Sequence, residues 1–325
     1  MRPLSYARPH DAATAVALVE RNPTAAFLAG GTTEVDLLRI GVHRHDLLVD
    51  INELPYREVE ELPGGGLRLG ALSRMSDVAR DERVMARYPA VSQALLLGAS
   101  EQLRNMASIG GNLCQRVRCG YFRDGISACN KRDPGTGCAA LEGVNRGHAV
   151  LGTSEHCIAT HPSDLAVALV AFDAVVHVIG PGGSRAIAVD DFYLLPNDTP
   201  QREHPLRQGE LIVAVDLPGA VIGARSTYVK IRDRQSYEFA LVSVAAALTV
   251  SEGVVREVRL ALGGVGTKPW RARIAEAELT GAPATPESYE RAAAAELSAA
   301  QVRRYNAFKV PLARRTIARV LAGAA

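Results

Sequence analysis

The spacing of hydrophobic and polar positions changes along this chain, and the changes mark out its elements. In "DAATAVALVERNP" the apolar residues recur at helical spacing, so a helix is expected, opened by Asp11 as a cap and stopped at Asn22-Pro23. "TAAFLAGGTTEVDLLRIG" reads as strand, glycine turn and helix, and "HDLLVDINEL" as a second short strand. This βαβ-like opening ends near Pro55. "GGGLRLGAL" resumes as a strand, followed by helices in "SRMSDVARDERVMARYP" and "AVSQALLLGASEQLRNMA". Further on, "SDLAVALVAFDA" is apolar at helical spacing with Ser163 as its cap, "VVHVIGPGGSRAIAV" is a hairpin about a Pro-Gly-Gly turn, and "GELIVAVDLP" is another strand.

From about Gly223 the pattern changes. "STYVKIR", "LVSVAAALTV" and "VVREVRLALGGV" are strands, with Ser251-Glu252-Gly253 as a turn, and helices follow within "RARIAEAELTG", "PESYERAAAAELSA" and "VPLARRTIARVLAG". Strands followed by helices predict a separate α+β domain. The last helix should pack on that domain through Val310, Leu312, Ile317, Val320 and Leu321, leaving its arginines outside.

Composition narrows the class. The 325 residues exceed one ordinary core, and 47% hydrophobic with 22% charged residues is the make-up of a globular protein. A net charge of +2 and 5% aromatics speak against nucleic acid as a partner. No apolar run reaches 18 residues, so no membrane span is expected, and the first twenty residues lack the apolar core of a signal peptide.

Cysteine changes the picture most. Four of the five cysteines fall in residues 110–138, "GGNLCQRVRCGYFRDGISACNKRDPGTGC", and the fifth is Cys157 in "GTSEHCIATHPSDL". Such clustering in a polar, Gly- and Arg-rich segment argues for metal or cluster ligation rather than scattered apolar packing. From Cys119 the spacing is C-x9-C-x8-C-x18-C. Structural zinc favours two tight pairs, and only Cys114 and Cys119 are close enough for one; four widely spaced thiolates suit a [4Fe–4S] cluster, with zinc as the alternative. Cys114 directly follows the "GGNL" turn, so Cys119, Cys129, Cys138 and Cys157 are the expected ligands, and Cys114 a neighbour of a bound flavin or a packed thiol. Arg116, Arg118, Arg123, Lys131 and Arg132 would offset the charge of cluster and thiolates, or form a solvated basic loop. His148, His156 and His161 lie nearby as further candidate ligands or as structural histidines.

Two glycine turns complete the candidate chemistry. "LAGGTTEVDLL" brings a strand into Gly30-Gly31, with Glu34 beginning a helix, and "ASIGGNLC" presents Gly110-Gly111. Glycines allow close backbone approach, and a helix start favours a pyrophosphate, so the pair could clamp an extended dinucleotide; each alone is equally an ordinary turn. Asp164 opens a helix, either as a helix-end carboxylate or as an acceptor for a ribityl or ribose hydroxyl. Lys230, Arg232, Asp233 and Arg234 are alternating charges on or after a strand, a solvated face unless the lysine reaches a flavin or phosphate. No Ser-His-Asp order and no HExxH occurs.

Together "FLAGGTTEVDLLR", "ASIGGNLCQRVRCGYFRDG", "CNKRDPGTGCAALEGVNRGHAVLG", "CIATHPSDLAVALVAFDA" and "KIRDRQSYEFALVSVAAAL" resemble the FAD-binding medium subunit of the molybdenum hydroxylases, the xanthine dehydrogenase, carbon monoxide dehydrogenase and aldehyde oxidoreductase family. The resemblance covers nearly the whole chain and is strongest to the branch of bacterial periplasmic aldehyde oxidoreductases, whose flavin subunit carries an extra [4Fe–4S] cluster; the cysteine loop is also similar to that of 4-hydroxybenzoyl-CoA reductase. It implies an α+β protein: a two-part FAD-binding domain of the vanillyl-alcohol-oxidase (PCMH) type over 1–221, with parts of about 1–55 and 56–221 and a cysteine loop over about 114–157, then a smaller α+β domain over 222–325. It implies that FAD is held by Ala29, Gly30, Gly31, Thr32 and Thr33 with the flanking Phe27, Leu28 and Glu34, by Ser108, Gly110, Gly111 and Asn112 with Ala107, and by Asp164, Leu195 and Lys230. The chain would carry no substrate-converting residues. A large molybdenum-cofactor subunit would hydroxylate the substrate, and a small [2Fe–2S] subunit would pass electrons to the FAD and on to an external acceptor, in a heterotrimer or its dimer. Aldehydes are the expected substrate class, with xanthine, an aromatic acyl-CoA or another heterocycle as alternatives, and a stand-alone flavoprotein oxidase as the rival reading. The compartment would be the cytoplasm, or the periplasm by co-export with a signal-bearing partner.

Overall fold

The computed structural model describes residues 3–219 and 221–324. Its first sheet is parallel: β1 (Ser5–Ala7) and β2 (Ala25–Leu28) flank β3 (Leu47–Asp50). Asp11 caps the helix Ala12–Arg21, its carboxylate accepting from the Thr14 amide at 2.8 Å. That helix buries Ala15, Val16 and Val19 against Ala25 and Val49. β1 escapes a reading by pattern, because three residues show no period and their partner Leu47–Val49 lies far along the chain.

The second sheet is antiparallel in the order β4 (Val59–Glu61), β5 (Leu67–Gly70), β8 (Leu211–Leu217), β6 (Val175–Gly180), β7 (Gly183–Ala188). β6 and β7 are the expected hairpin. The two long helices expected before the cysteine segment are each broken. Asp81 ends Met75–Arg80 and caps Glu82–Arg87, accepting from the Arg83 amide at 2.9 Å; beyond Pro89–Leu97, Ser100 caps Glu101–Arg104. The second glycine turn proves to be a helix start: Ile109–Leu113 begins at Ser108, whose hydroxyl accepts from the Gly111 amide at 3.2 Å. Helix Asp164–Ala171 is buried at every residue and is capped by Ser163, which accepts from the Ala166 amide at 3.0 Å.

The third sheet, in the order β12 (Trp270–Arg271), β11 (Val254–Gly263), β10 (Val242–Ser251), β9 (Ser226–Ile231), is antiparallel. Glu252 and Gly253 both take positive φ (54° and 71°) in the turn between β10 and β11, the conformation tight hairpins favour. β10 reads as a near-continuous apolar run because both of its faces are covered. Ala245 and Ala247 join the core of the first domain, whereas Val244, Ala246 and Leu248 join the core beneath helices Arg273–Leu279, Pro286–Glu296 and Lys309–Ala324. In the last helix Ile317, Val320 and Leu321 are buried there, with Val310 and Leu312 partly so. No helix among the described residues is long and apolar enough to cross a membrane.

Candidate functional site

β2 and the helix Ile109–Leu113 bring the two glycine segments together. A Cβ at Gly30 would fall on the Met106 carbonyl oxygen, so the first loop lies directly on the chain entering the second. Between them opens a cleft of about 510 Å³, within the usual range of small-molecule sites. It is lined by Phe27, Ala29, Gly30, Gly31, Thr32, Thr33 and Glu34 on one side and Ala107, Ser108, Gly110 and Gly111 on the other. Two helices, Glu34–Arg39 and Ile109–Leu113, start at this cleft, and helix starts carry partial positive charge.

The cleft's carboxylates are neutralised by neighbours. Burial would raise the Glu34 carboxyl, but hydrogen bonds from His43 (2.9 Å) and His45 (3.2 Å) outweigh it and hold it down at about 2. Glu210 is paired with Arg185 at 2.7 Å, while Arg116 and Arg207 add positive charge to the lining. Size, helix starts and charge balance therefore fit an extended dinucleotide such as FAD, whose diphosphate is anionic. Cys114 also faces this cleft, and burial, with the nearby Glu203 charge, pushes its thiol up to about 12.

The remaining expected contacts lie elsewhere. Leu28 and Asn112 flank the lining residues, and Leu195 is partly exposed beyond them. Lys230, expected on a solvated strand face, is instead buried, 1% exposed in its side chain, with Nζ 2.7 Å from the Asp164 carboxylate and donating to the Leu97 carbonyl at 3.1 Å. The Tyr228 hydroxyl donates to the other Asp164 oxygen at 2.6 Å. Burial raises the Asp164 carboxyl in spite of the lysine. Asp164 borders a second, small hollow beside Arg118 and Phe239.

The cysteine segment has little regular structure, and one asparagine gathers it. Asn130 Oδ1 accepts from the amides of Gly135 and Gly137 at 3.1 and 2.8 Å, and Nδ2 donates to the His156 carbonyl at 3.2 Å. These bonds bring together the neighbours of Cys129, Cys138 and Cys157, and Cys129 and Cys138 oppose each other in a single antiparallel bridge. Cys119, Cys129 and Cys157 share an apolar nest with Leu37, Val117 and Phe122. Burial pushes the Cys119 thiol up to about 12 and that of Cys157 to about 11. Thiolates there require a cationic partner, and the sulfur-only donor set suits an iron–sulfur group or zinc. Among the described residues no three cysteine sulfurs lie within 4.8 Å of one another. A single zinc ion with Zn–S of about 2.3 Å needs its sulfurs closer than that, while a cuboidal cluster spreads them.

The basic residues of this segment have carboxylate partners that pattern alone did not identify. Lys131 and Arg116 grip Glu203 from two sides, at 2.8 and 2.6 Å, and Arg118 and Arg123 grip Asp36 at 3.3 and 2.9 Å. Arg132 pairs with Asp133 at 2.8 Å and donates to the carbonyls of Tyr121 and Phe122. Glu203 thus joins the cysteine loop, through Lys131, to the cleft, through Arg116. His148 Nε2 lies 3.2 Å from Cys119 Sγ; burial and then the Lys309 charge hold it neutral, down to about 4. His161 is likewise pushed to about 4 by burial, and His156 is exposed.

Comparison with known proteins agrees with this arrangement. The family described as FAD binding domain in molybdopterin dehydrogenase matches residues 2–220, and that described as CO dehydrogenase flavoprotein C-terminal domain matches 227–324. The chain is 49% identical to the aldehyde oxidoreductase FAD-binding subunit PaoB of Escherichia coli K12 over 326 residues, covering 100% of this chain and 99% of that one. It is 27% identical to the glyceraldehyde dehydrogenase medium chain of Sulfolobus acidocaldarius, covering 85% and 81% of the two chains. Among solved structures, the carbon monoxide dehydrogenase from Hydrogenophaga pseudoflava has the same fold, with a TM-score of 0.77 over 99% of this chain and 97% of that one at 24% identity. With a cleft suited to a dinucleotide, two family matches spanning nearly the whole chain and a full-length relative at 49% identity, the chain belongs to the FAD-binding medium subunits of the molybdenum hydroxylase family.

Proposed function

We propose that this chain is the FAD- and [4Fe–4S]-carrying electron-transfer subunit of a molybdenum-dependent aldehyde oxidoreductase. It would assemble with a large molybdenum-cofactor subunit and a small [2Fe–2S] subunit, and serve an external electron acceptor. The aldehyde assignment is supported by the 49% identity to PaoB along the whole chain. The observation that carries the electron-transfer reading is the ion-paired Glu203, which connects a knot of four cysteines to the cleft that fits FAD.

In this reading Phe27 to Glu34, together with Ala107, Ser108, Gly110, Gly111 and Asn112, hold the dinucleotide, and Asp164, Leu195 and Lys230 belong to its outer surroundings. Bound FAD supplies chemistry that accepts single electrons and releases two. The chain's own part is positional and electrostatic. The two helix starts receive the diphosphate, and the His43 and His45 bonds to Glu34 offset the one carboxylate beside it. Cys119, Cys129, Cys138 and Cys157 hold the cluster, with the Ala159 amide near Cys157 Sγ (3.5 Å) as a hydrogen-bond donor of the kind that tunes cluster potentials. Cys114 stays outside, facing the flavin cleft.

Single Cys→Ser variants, assayed anaerobically for iron, bound flavin and the reduced cluster's electron paramagnetic resonance signal, test the assignment. Variants at Cys119, Cys129, Cys138 and Cys157 should lose iron and signal, whereas Cys114→Ser should keep both. Loss at Cys114 with retention at Cys157 overturns the ligand set. Zinc without iron overturns the cluster, and absence of FAD from the intact protein overturns the flavin reading.

A further inference from the structure

Three residues at the rim of the cleft converge for a purpose that neither the flavin nor the cysteines explain. Glu34 stands at the start of helix Glu34–Arg39. The chain then doubles back, the amides of Val42 and His43 both donating to the Leu37 carbonyl at 3.0 and 3.2 Å. His43 and His45, two positions apart on the stretch leading into β3, fall on the same side as in an extended strand. We propose that Glu34, His43 and His45 bind a divalent transition-metal ion of the zinc type, separate from the cysteine ligands.

The donor atoms support this by position and by chemistry. One ligand atom from each residue lies within 4.8 Å of the other two, with Glu34 Oε2 2.9 Å from His43 Nδ1 and Glu34 Oε1 3.2 Å from His45 Nε2. Ligands at about 2.0–2.2 Å around a tetrahedral ion need only small adjustments from these separations. The side chains are sheltered, between 16% and 23% exposed, and the imidazole rings meet edge to face. His45 is already oriented for the task. Its Nδ1 lies 3.1 Å from the Thr24 carbonyl, which only accepts, so Nδ1 carries the hydrogen and Nε2 is the atom turned toward Glu34. A ring nitrogen donating to a backbone carbonyl while the other binds metal is the usual support of a histidine ligand. Two imidazoles and one carboxylate leave a fourth position, open to the cleft, for water. Such a set selects zinc, cobalt or nickel over magnesium or calcium.

One neighbour must yield. Arg116 Nη1 approaches the far nitrogen of His43, Nε2, at 3.3 Å, and metal at Nδ1 turns that atom from acceptor to donor. Arg116 keeps its Glu203 partner at 2.6 Å when it releases the ring, so the arginine is not left unpaired. Loaded, the ion would tie the 41–46 loop to the helix start and stiffen one wall of the cleft.

The test uses the full-length protein as isolated, with its cysteine-bound metal in place, equilibrated with zinc chloride and dialysed. Crystals measured on either side of the zinc absorption edge should show an anomalous peak between Glu34, His43 and His45. Zinc should also raise the melting temperature of the wild type and of Cys119→Ser, and should not raise that of His45→Gln or Glu34→Gln; each variant is compared with itself without zinc, so an altered starting stability does not obscure the result. No peak at these three residues at saturating zinc overturns the proposal. So does a zinc-dependent rise that survives both His45→Gln and Glu34→Gln.

Discussion

Gly30 and Lys309 show how far a single residue's role depends on what lies against it. The paired glycines suggested backbone brought close to a ligand, yet the contact that excludes a side chain at Gly30 is the Met106 carbonyl, a neighbour within the protein. The residue type was legible; its reason was not, because the contact joins segments far apart in sequence. Lys309 gave no signal at all. Its Nζ is buried, donating to the carbonyls of Gly147 and Gly264 at 3.1 and 2.6 Å, and no carboxylate pairs with it among the described residues. Burial, and then the Arg146 charge, push its pKa down from 10.5 to about 7. A neutral amine still has two hydrogens for the two carbonyls. The folded state therefore binds this proton less tightly than the unfolded chain, and folding loses stability as pH falls from above 10.5 through about 7. Denaturant midpoints should rise between neutral pH and the alkaline side of that window, and the rise should be smaller in Lys309→Met. Equal slopes in the two proteins would show that Lys309 is not the group responsible.

Among the elements, helix Asp164–Ala171 depends on a cap that also holds a neighbour. The Ser163 hydroxyl accepts from the Ala166 amide at 3.0 Å and donates to Asn112 Oδ1 at 2.5 Å, which ties this core helix to the one lining the cleft. Ser163→Ala should destabilise the protein by about 1–2 kcal/mol, the usual cost of a lost cap, while Ser163→Thr keeps most of it. Urea unfolding measures this, and an unchanged midpoint in Ser163→Ala would remove the cap from the account. Caps at Asp11 and Ser163, the β6–β7 hairpin and the Glu252-Gly253 turn were legible because each is a bargain struck within a few residues. The breaks at Asp81 and Ser100 were missed because the apolar spacing runs on through them, although both are good capping residues.

At the scale of the whole molecule the two domains are joined through shared core and one arginine. β10 gives alternate residues to each core, and Arg271 of the second domain reaches the open end of helix Asp164–Ala171 in the first. Its Nη1 donates to the Val170 and Ala171 carbonyls at 2.7 and 2.9 Å and lies 3.0 Å from Asp173. Arg271→Met would leave those carbonyls and Glu276 without their partner, a loss of about 3–5 kcal/mol for a buried pair broken on one side. Calorimetry should show a lower melting temperature and a weaker coupling between the domains, read as a broadened or split transition. A variant that melts as the wild type does would mean that the shared strand alone joins them.

What the sequence by itself determined is what short-range chemistry can encode: the α+β character, most helices and strands, their caps and turns, and the two glycine segments and cysteine cluster that carry the family resemblance. Each depends on residues close along the chain, whose spacing and side-chain chemistry act before any distant contact forms. Only the tertiary structure decided which charges pair and which donors converge. Glu203 between Lys131 and Arg116, Asp36 between Arg118 and Arg123, Asp164 with Lys230, and Glu34 facing His43 and His45 all depend on how the chain returns upon itself. The burial that moves the pKa values of Cys119, His148 and Lys309 is a property of the packed surroundings, which no local pattern contains.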